Sequence, residues 1–233
     1  MVKENIFQTI ERLRQGDPKQ IVLNKLYTQA KVTNENQGWI DWQQLNHRSE
    51  RELLLAGAVA INDNFLSKMD SSQQPSVIMS IPASGTHVGS YINCVSGIDH
   101  SISKKGDDVE GHMDGAAFID NNGELVIPHV PSYDGKYYAH RFRAVDPDKD
   151  KVVGLAESFI ATGKTLETYY TALQPLGIQP VVMSIVAMDL PYLRNPQVGY
   201  QRLKDIMPIY SVLHVTSLRG GQIQATVNGN GHL

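Results

Sequence analysis

Residues 151–166 read KVVGLAESFIATGKTL. The apolar run Val152 to Ala156 predicts a strand. It runs into Glu157-Ser158, then Phe159-Ile160, then Ala161-Thr162-Gly163-Lys164-Thr165. A helix is expected from Thr165 to Leu176, with Gly177 as its C-cap. Small residues and hydroxyls at a helix start make an anion site. Backbone N–H groups point outward there, the helix dipole adds positive potential, and threonine hydroxyls add donors. Gly163 lets the backbone come close to a phosphate. The same stretch also reads as a strand–turn–helix joint whose threonines only cap the helix. It is not the P-loop of nucleotide hydrolases: Gly163-Lys164-Thr165 fits that motif's end, but Ser158 stands at its first glycine.

Strands and helices alternate on both sides of this joint. Upstream, Ile6, Ile10 and Leu13 predict a short helix stopped at Gly16-Asp17-Pro18. Residues 19–47 are mixed and polar. Ser49 with Glu52 is a capping-box pattern, and a helix is expected from about Glu50 to Lys68. Ser76–Ile81 predicts a buried parallel strand, Pro82–Thr86 a turn, and a helix follows to about Val95. A second strand is expected over Ile98–Ser103. Asn121-Asn122-Gly123 between apolar runs predicts a hairpin, and Asp134-Gly135 a second, so 97–145 reads as a hairpin insertion beside the sheet. Downstream, strands are expected at 181–188 and 211–216, and a helix at 198–206. The pattern predicts an α/β chain with a central, mostly parallel sheet flanked by helices.

Length and composition bound the function. The 233 residues allow one domain: an N-terminal extension (1–45), a core (46–225) and a frayed tail (226–233). A hydrophobic fraction of 41% with a net charge of -3 describes a globular chain and gives no broad basic surface for nucleic acid. The single cysteine, Cys94, excludes an internal disulfide and a cysteine zinc site, and reads as a small core residue. No apolar run reaches a membrane span and no signal peptide opens the chain, so a cytoplasmic location is expected.

Glu157, Thr162, Gly163 and Thr165 resemble the signature of type I phosphoribosyltransferases, in which two acidic residues, two apolar residues and a small-Thr-Gly-x-Thr loop follow a strand. Further segments are similar, in the same order, to xanthine phosphoribosyltransferases: Leu45-Asn46-His47; Ile81-Pro82-Ala83-Ser84-Gly85; Val130-Pro131-Ser132-Tyr133 with Lys136; and Val215 to Ile223. The resemblance implies the family's fold, with a small hood built from the N-terminal segment and a C-terminal strand pair. It implies a transfer of phosphoribosyl from phosphoribosyl pyrophosphate (PRPP) to a 6-oxopurine: xanthine, guanine or hypoxanthine. The products are a nucleoside 5′-monophosphate and pyrophosphate. Mg2+ carried on the pyrophosphate, and a homodimer, are implied too.

By the same resemblance, Glu157 and Ser158 face the ribose diol, and Ala161, Thr162, Gly163, Lys164 and Thr165 hold the 5′-phosphate. Ala83, Ser84, Gly85 and Thr86, with Lys104 and Lys105 beyond the second strand, take the pyrophosphate. Asn46 reads the base; its amide offers both a donor and an acceptor. Tyr133 and Lys136 belong to a mobile loop, and Glu157 and Lys136 carry the catalytic assignment. Three positions depart from the family pattern. Ser158 replaces an acid, and Pro82 stands where a glutamate is frequent. Ala161 stands where hypoxanthine–guanine enzymes carry aspartate, which favours the xanthine, adenine and orotate branches. Asp107-Asp108-Glu110, with His112 and Asp114, reads as a surface charge run rather than a metal site, and His140 as structural. A PRPP-binding regulator with little turnover is the alternative, because a serine hydroxyl brings no charge to the diol. A DNA-binding regulator is disfavoured by charge and by the short N-terminal segment.

Overall fold

The computed structural model describes residues 5–34, 39–41, 51–82, 84–109, 114–132, 134–190 and 199–228, without the side chains of Trp39 and Ser84. Helix α1 (Ile6–Gln15) begins with a capping box: Asn5 Oδ1 accepts from the Gln8 N–H at 2.9 Å, and Gln8 Oε1 from the Asn5 N–H at 3.0 Å. Asp17-Pro18 stops α1 and also starts the next helix. Asp17 caps α2 (Pro18–Gln29), and Pro18 occupies its first turn. Residues 18–29 carry no helical periodicity, because Ile21, Val22 and Leu23 are consecutive and so fall on different sides of α2, of which only Val22 and Leu26 are buried. A small hairpin, β1 (Lys31–Asn34) with β2 (Trp39–Asp41), follows. Helix α3 (Arg51–Asn64) is buried at every position from Leu53 to Ile61, being covered on several sides. It ends in a 3-10 turn, Leu66–Lys68. The expected capping box at Ser49 lies partly outside the described residues.

The main sheet then builds up from β3 (Val77–Ser80), α4 (Ser84–Ser96), β4 (Asp99–Asp107), β5 (Phe118–Ile119), β6 (Leu125–Pro131), β7 (Tyr137–Phe142) and β8 (Val152–Ile160). It continues with α5 (Lys164–Leu173), β9 (Gln179–Met188), α6 (Gly199–Leu203), β10 (Ile209–Ser217) and β11 (Gln224–Val227). Nine strands lie in the order β11-β10-β9-β8-β3-β4-β7-β6-β5. The five from β10 to β4 are parallel; the pairs beyond them at both ends are antiparallel. One core packs α1 to α4 on one face, with Leu13, Leu53, Ile61 and Ile185 among its members. The other packs α5 against Leu155, Leu125 and Phe142.

Several expectations are corrected. The 97–145 hairpins are not an insertion beside the sheet. They extend it, because β4 is parallel to β3 on one edge and antiparallel to β7 on the other. Lys104 and Lys105 lie inside β4, not after it. Strand β8 runs on through Glu157, Ser158 and Ile160. The C-terminal strand pair is the edge of the main sheet and not a separate layer. Helix α2 is tied to it: the Tyr27 hydroxyl donates to the Ala225 carbonyl, and Lys19 Nζ to the Asn228 carbonyl. The tail is ordered as far as Asn228, whose N–H donates to Val212 O; residues 229–233 lie outside the described set. Cys94 is exposed, because Val88 and Ile92 take the inward face of α4. No helix among the described residues is long and apolar enough to cross a membrane.

Candidate active site

The parallel strands β3, β8 and β9 end at one edge, where ligands bind in open α/β sheets. The turns after β3 and β8 touch there. The Ile81 N–H donates to Ala156 O at 3.1 Å, and a Cβ on Gly85 would sit 2.2 Å from that same carbonyl oxygen. Only glycine allows the first turn of α4 to lie this close to β8. The segment expected to take pyrophosphate is therefore held against the strand that carries Glu157. Thr86 is half-buried in that turn, while Ala83 and the Ser84 side chain lie outside the described residues.

Glu157 is half-buried near the end of β8, and its Oε1 accepts from the Ser158 N–H at 2.8 Å. Beneath it, Tyr169 of α5 is fully buried, and its hydroxyl lies 2.7 Å from His140 Nδ1. Burial, and then the Glu157 charge, push the Tyr169 phenol well above its usual range. Burial, and then nearby Lys105, hold His140 down at about 4, so a neutral imidazole pairs with the phenol. Ser158 is corrected: its side chain is fully buried, so the hydroxyl is not presented at the rim to a sugar.

The loop 161–165 leads straight into α5. Gly163 is the N-cap, in left-handed backbone (φ 67°, ψ 5°), and offers no side-chain oxygen to the first-turn N–H groups. Thr162 Oγ1 accepts from the Lys164 N–H at 3.5 Å, and the remaining first-turn N–H groups are available to an anion or water. Lys164 is exposed; Ala161, Thr162 and Thr165 are half-buried. Gly163 itself is buried for a second reason. A Cβ there would meet Leu203 Cδ1 at 2.5 Å and Gly199 Cα at 3.0 Å. Its glycine is required by packing against α6 as well as by φ.

Lys104 and Lys105 are adjacent strand residues and so point to opposite faces. Lys105 is committed to the β6–β7 hairpin: its Nζ donates to Ser132 Oγ at 3.0 Å and lies 3.5 Å over the Tyr138 ring. Lys136 is exposed in that hairpin's turn, which is closed by the Ser132 N–H donating to Lys136 O at 2.9 Å. Tyr133 and Asn46 lie outside the described residues. Asp108 is not part of a solvated charge run. It accepts from the His129 N–H at 2.8 Å and lies 2.6 Å from His129 Nδ1. His129 has φ 54° at the register shift in β6. Partial burial works to raise the Asp108 carboxyl, but the His129 bonds hold it below the usual range.

A second group stands at this rim with no motif around it in the sequence. Asp189, just past β9, accepts from the Gln201 amide, and His214 Nδ1 lies 3.8 Å from its other oxygen. His214, and then Gln201, hold Asp189 below the usual carboxylate range against its partial burial. No cluster of three His, Cys, Asp or Glu side chains suited to a metal occurs among the described residues.

No protein-family model matches the sequence, and no curated protein sequence does. Solved structures do match the fold. Adenine phosphoribosyltransferase from Leishmania donovani has a TM-score of 0.53 at 13% identity, covering 86% of this chain and 80% of that one. The Trypanosoma brucei enzyme, solved with AMP, pyrophosphate and ribose-5-phosphate, has 0.53 at 14%, covering 82% and 78%. The Leishmania tarentolae enzyme has 0.51 at 17%, covering 76% of each. The parallel core, the strand-to-loop-to-helix joint at its rim and these likenesses agree that the chain has the type I phosphoribosyltransferase fold.

Proposed function

We propose that the protein is a purine phosphoribosyltransferase that joins PRPP to a 6-oxopurine and releases pyrophosphate. One observation carries this reading: α5 starts at Gly163, which brings no side-chain cap, directly after the strand that carries Glu157, and that same strand lies against the Gly85 turn at the ligand edge of a parallel sheet. Loop 161–165 would bind the 5′-phosphate through N–H groups and the Thr162 and Thr165 hydroxyls. Glu157 would accept from the ribose hydroxyls and offset the positive charge that develops at C1′. The bond from C1′ to the pyrophosphate oxygen breaks, the bond from C1′ to the base nitrogen forms, and the proton of that nitrogen passes to the released pyrophosphate or to water. The protein's part is placement and electrostatics. Mg2+ needs oxygen ligands and is commonly held by one or two carboxylates together with substrate phosphates. The half-buried Glu157 fits that role only if pyrophosphate supplies most of the ligands. A homodimer in the cytoplasm belongs to the same proposal.

The fully buried Ser158, where the family has an acid, favours a second reading: a PRPP-binding regulator with little turnover. Radiolabelled PRPP incubated with Mg2+ and each of xanthine, guanine, hypoxanthine and adenine separates the two. A nucleotide from an oxopurine supports the enzyme, whereas PRPP bound without product from any base supports the regulator. AMP as the chief product would reverse the base assignment. Glu157→Gln is expected to cut kcat/KM by about 100-fold.

A further inference from the structure

We propose that α6 is a bracket that sets the shape of the phosphate loop, with Arg202 as a positioning residue. This rests on the reading of 161–165 as the 5′-phosphate site. Three contacts converge on that loop from a helix of five residues. The Gly199 N–H donates to Ala161 O at 2.8 Å. Arg202 Nη2 donates to Thr162 O at 3.2 Å. Leu203 covers Gly163 so closely that a Cβ there would clash. A Cβ on Gly199 would in turn lie 2.5 Å from Thr162 C and 2.4 Å from Gly163 N, so Gly199 rests directly on that peptide unit.

The consequence follows from peptide geometry. In a trans peptide the C=O of one residue and the N–H of the next point in opposite directions. Holding the Ala161 and Thr162 carbonyls toward α6 turns the Thr162 and Gly163 N–H groups away from it. Two donors are thereby fixed before any ligand arrives, which lowers the reorganisation needed on binding. Arg202 has a second effect. Its Nη2 is also 2.8 Å from Glu167 Oε2, in the first turn of α5. An unneutralised carboxylate there would repel a phosphate. The bracket's far side is anchored too, since Gln201 donates to Asp189 at the end of β9.

The test pairs Arg202→Ala with Arg202→Lys, using ribose 5-phosphate titrated calorimetrically and PRPP in steady-state assays. Arg202→Ala is expected to weaken ribose 5-phosphate by about tenfold or more. KM for PRPP should rise in parallel, with KM for the base unchanged, and Arg202→Lys should recover most of the loss. Unchanged ribose 5-phosphate affinity in a folded Arg202→Ala protein overturns the bracket. So does an equal rise in both KM values that the lysine does not reverse, since that is general loosening of structure. Thr165→Val tests the underlying site separately. If it weakens ribose 5-phosphate while Arg202→Ala does not, only the bracket fails. If Thr165→Val leaves binding intact, the phosphate-loop reading fails and the bracket with it.

Discussion

Ser158 shows how a residue's identity and its burial lead to different expectations. Judged by position in the signature, an aspartate there would restore an acid for the ribose diol. Judged by structure, the side chain is sealed within β8, with no exposed surface. A carboxylate at that point must be desolvated or stay protonated. Ser158→Asp is therefore expected to destabilise the fold by roughly 3 kcal/mol or more and to leave kcat/KM no higher. Chemical denaturation with parallel kinetics checks this, and a stable variant with improved turnover would restore the diol assignment. Gly163 carries the same lesson. Its positive φ and its contact with Leu203 make substitution there a test of folding before it is a test of phosphate binding.

Among the elements, the β6–β7 hairpin is the one whose role depends on how it is held. Its register shifts between Ile127 and Val130, and the left-handed His129 in that shift is fixed by Asp108. Non-glycine residues adopt such backbone only when their surroundings impose it. Asp108→Ala removes acceptors from the His129 N–H and from its ring. The expected effect is a loss of about 1 kcal/mol locally and faster amide exchange over 128–131, with β8 and β9 unaffected. Exchange that is unchanged there would mean the bulge is set by strand pairing alone. The hairpin turn itself, at Lys136, is expected to gain protection when PRPP and Mg2+ are added.

Over the whole molecule, α5 and the antiparallel strands are locked together by the buried His140–Tyr169 pair. Its pH dependence follows from linkage. The His140 imidazole is held at about 4, against 6.5 when exposed. Below 6.5 the unfolded chain takes up a proton that the native protein refuses. Stability is thus complete above about pH 6.5 and falls as the pH drops toward 4, by up to about 3 kcal/mol. His140→Gln keeps a hydrogen-bond partner for Tyr169 and should flatten that part of the profile, as read from denaturant midpoints between pH 4 and 8. An unaltered slope would assign the acid sensitivity to other groups.

The order of strands and helices, the parallel core and the joint at 151–166 were legible in the sequence, because periodicity, hairpin turns and small-residue loops are local signals. Helix α2 was not, since its apolar residues Ile21, Val22 and Leu23 are consecutive and form no single stripe, and only Val22 and Leu26 are buried. Neither was the placement of Lys104 and Lys105 within β4, nor the continuation of the sheet through the hairpins, because strand pairing joins residues far apart in the chain. The reach of α6 onto the phosphate loop is the clearest case. Gly199 and Arg202 have no motif around them, and their part is fixed by contacts with Ala161, Thr162 and Gly163 some forty residues away. Local chemistry could name the anion-binding loop. Only packing, which brings α6 against that loop, decided what holds it in shape.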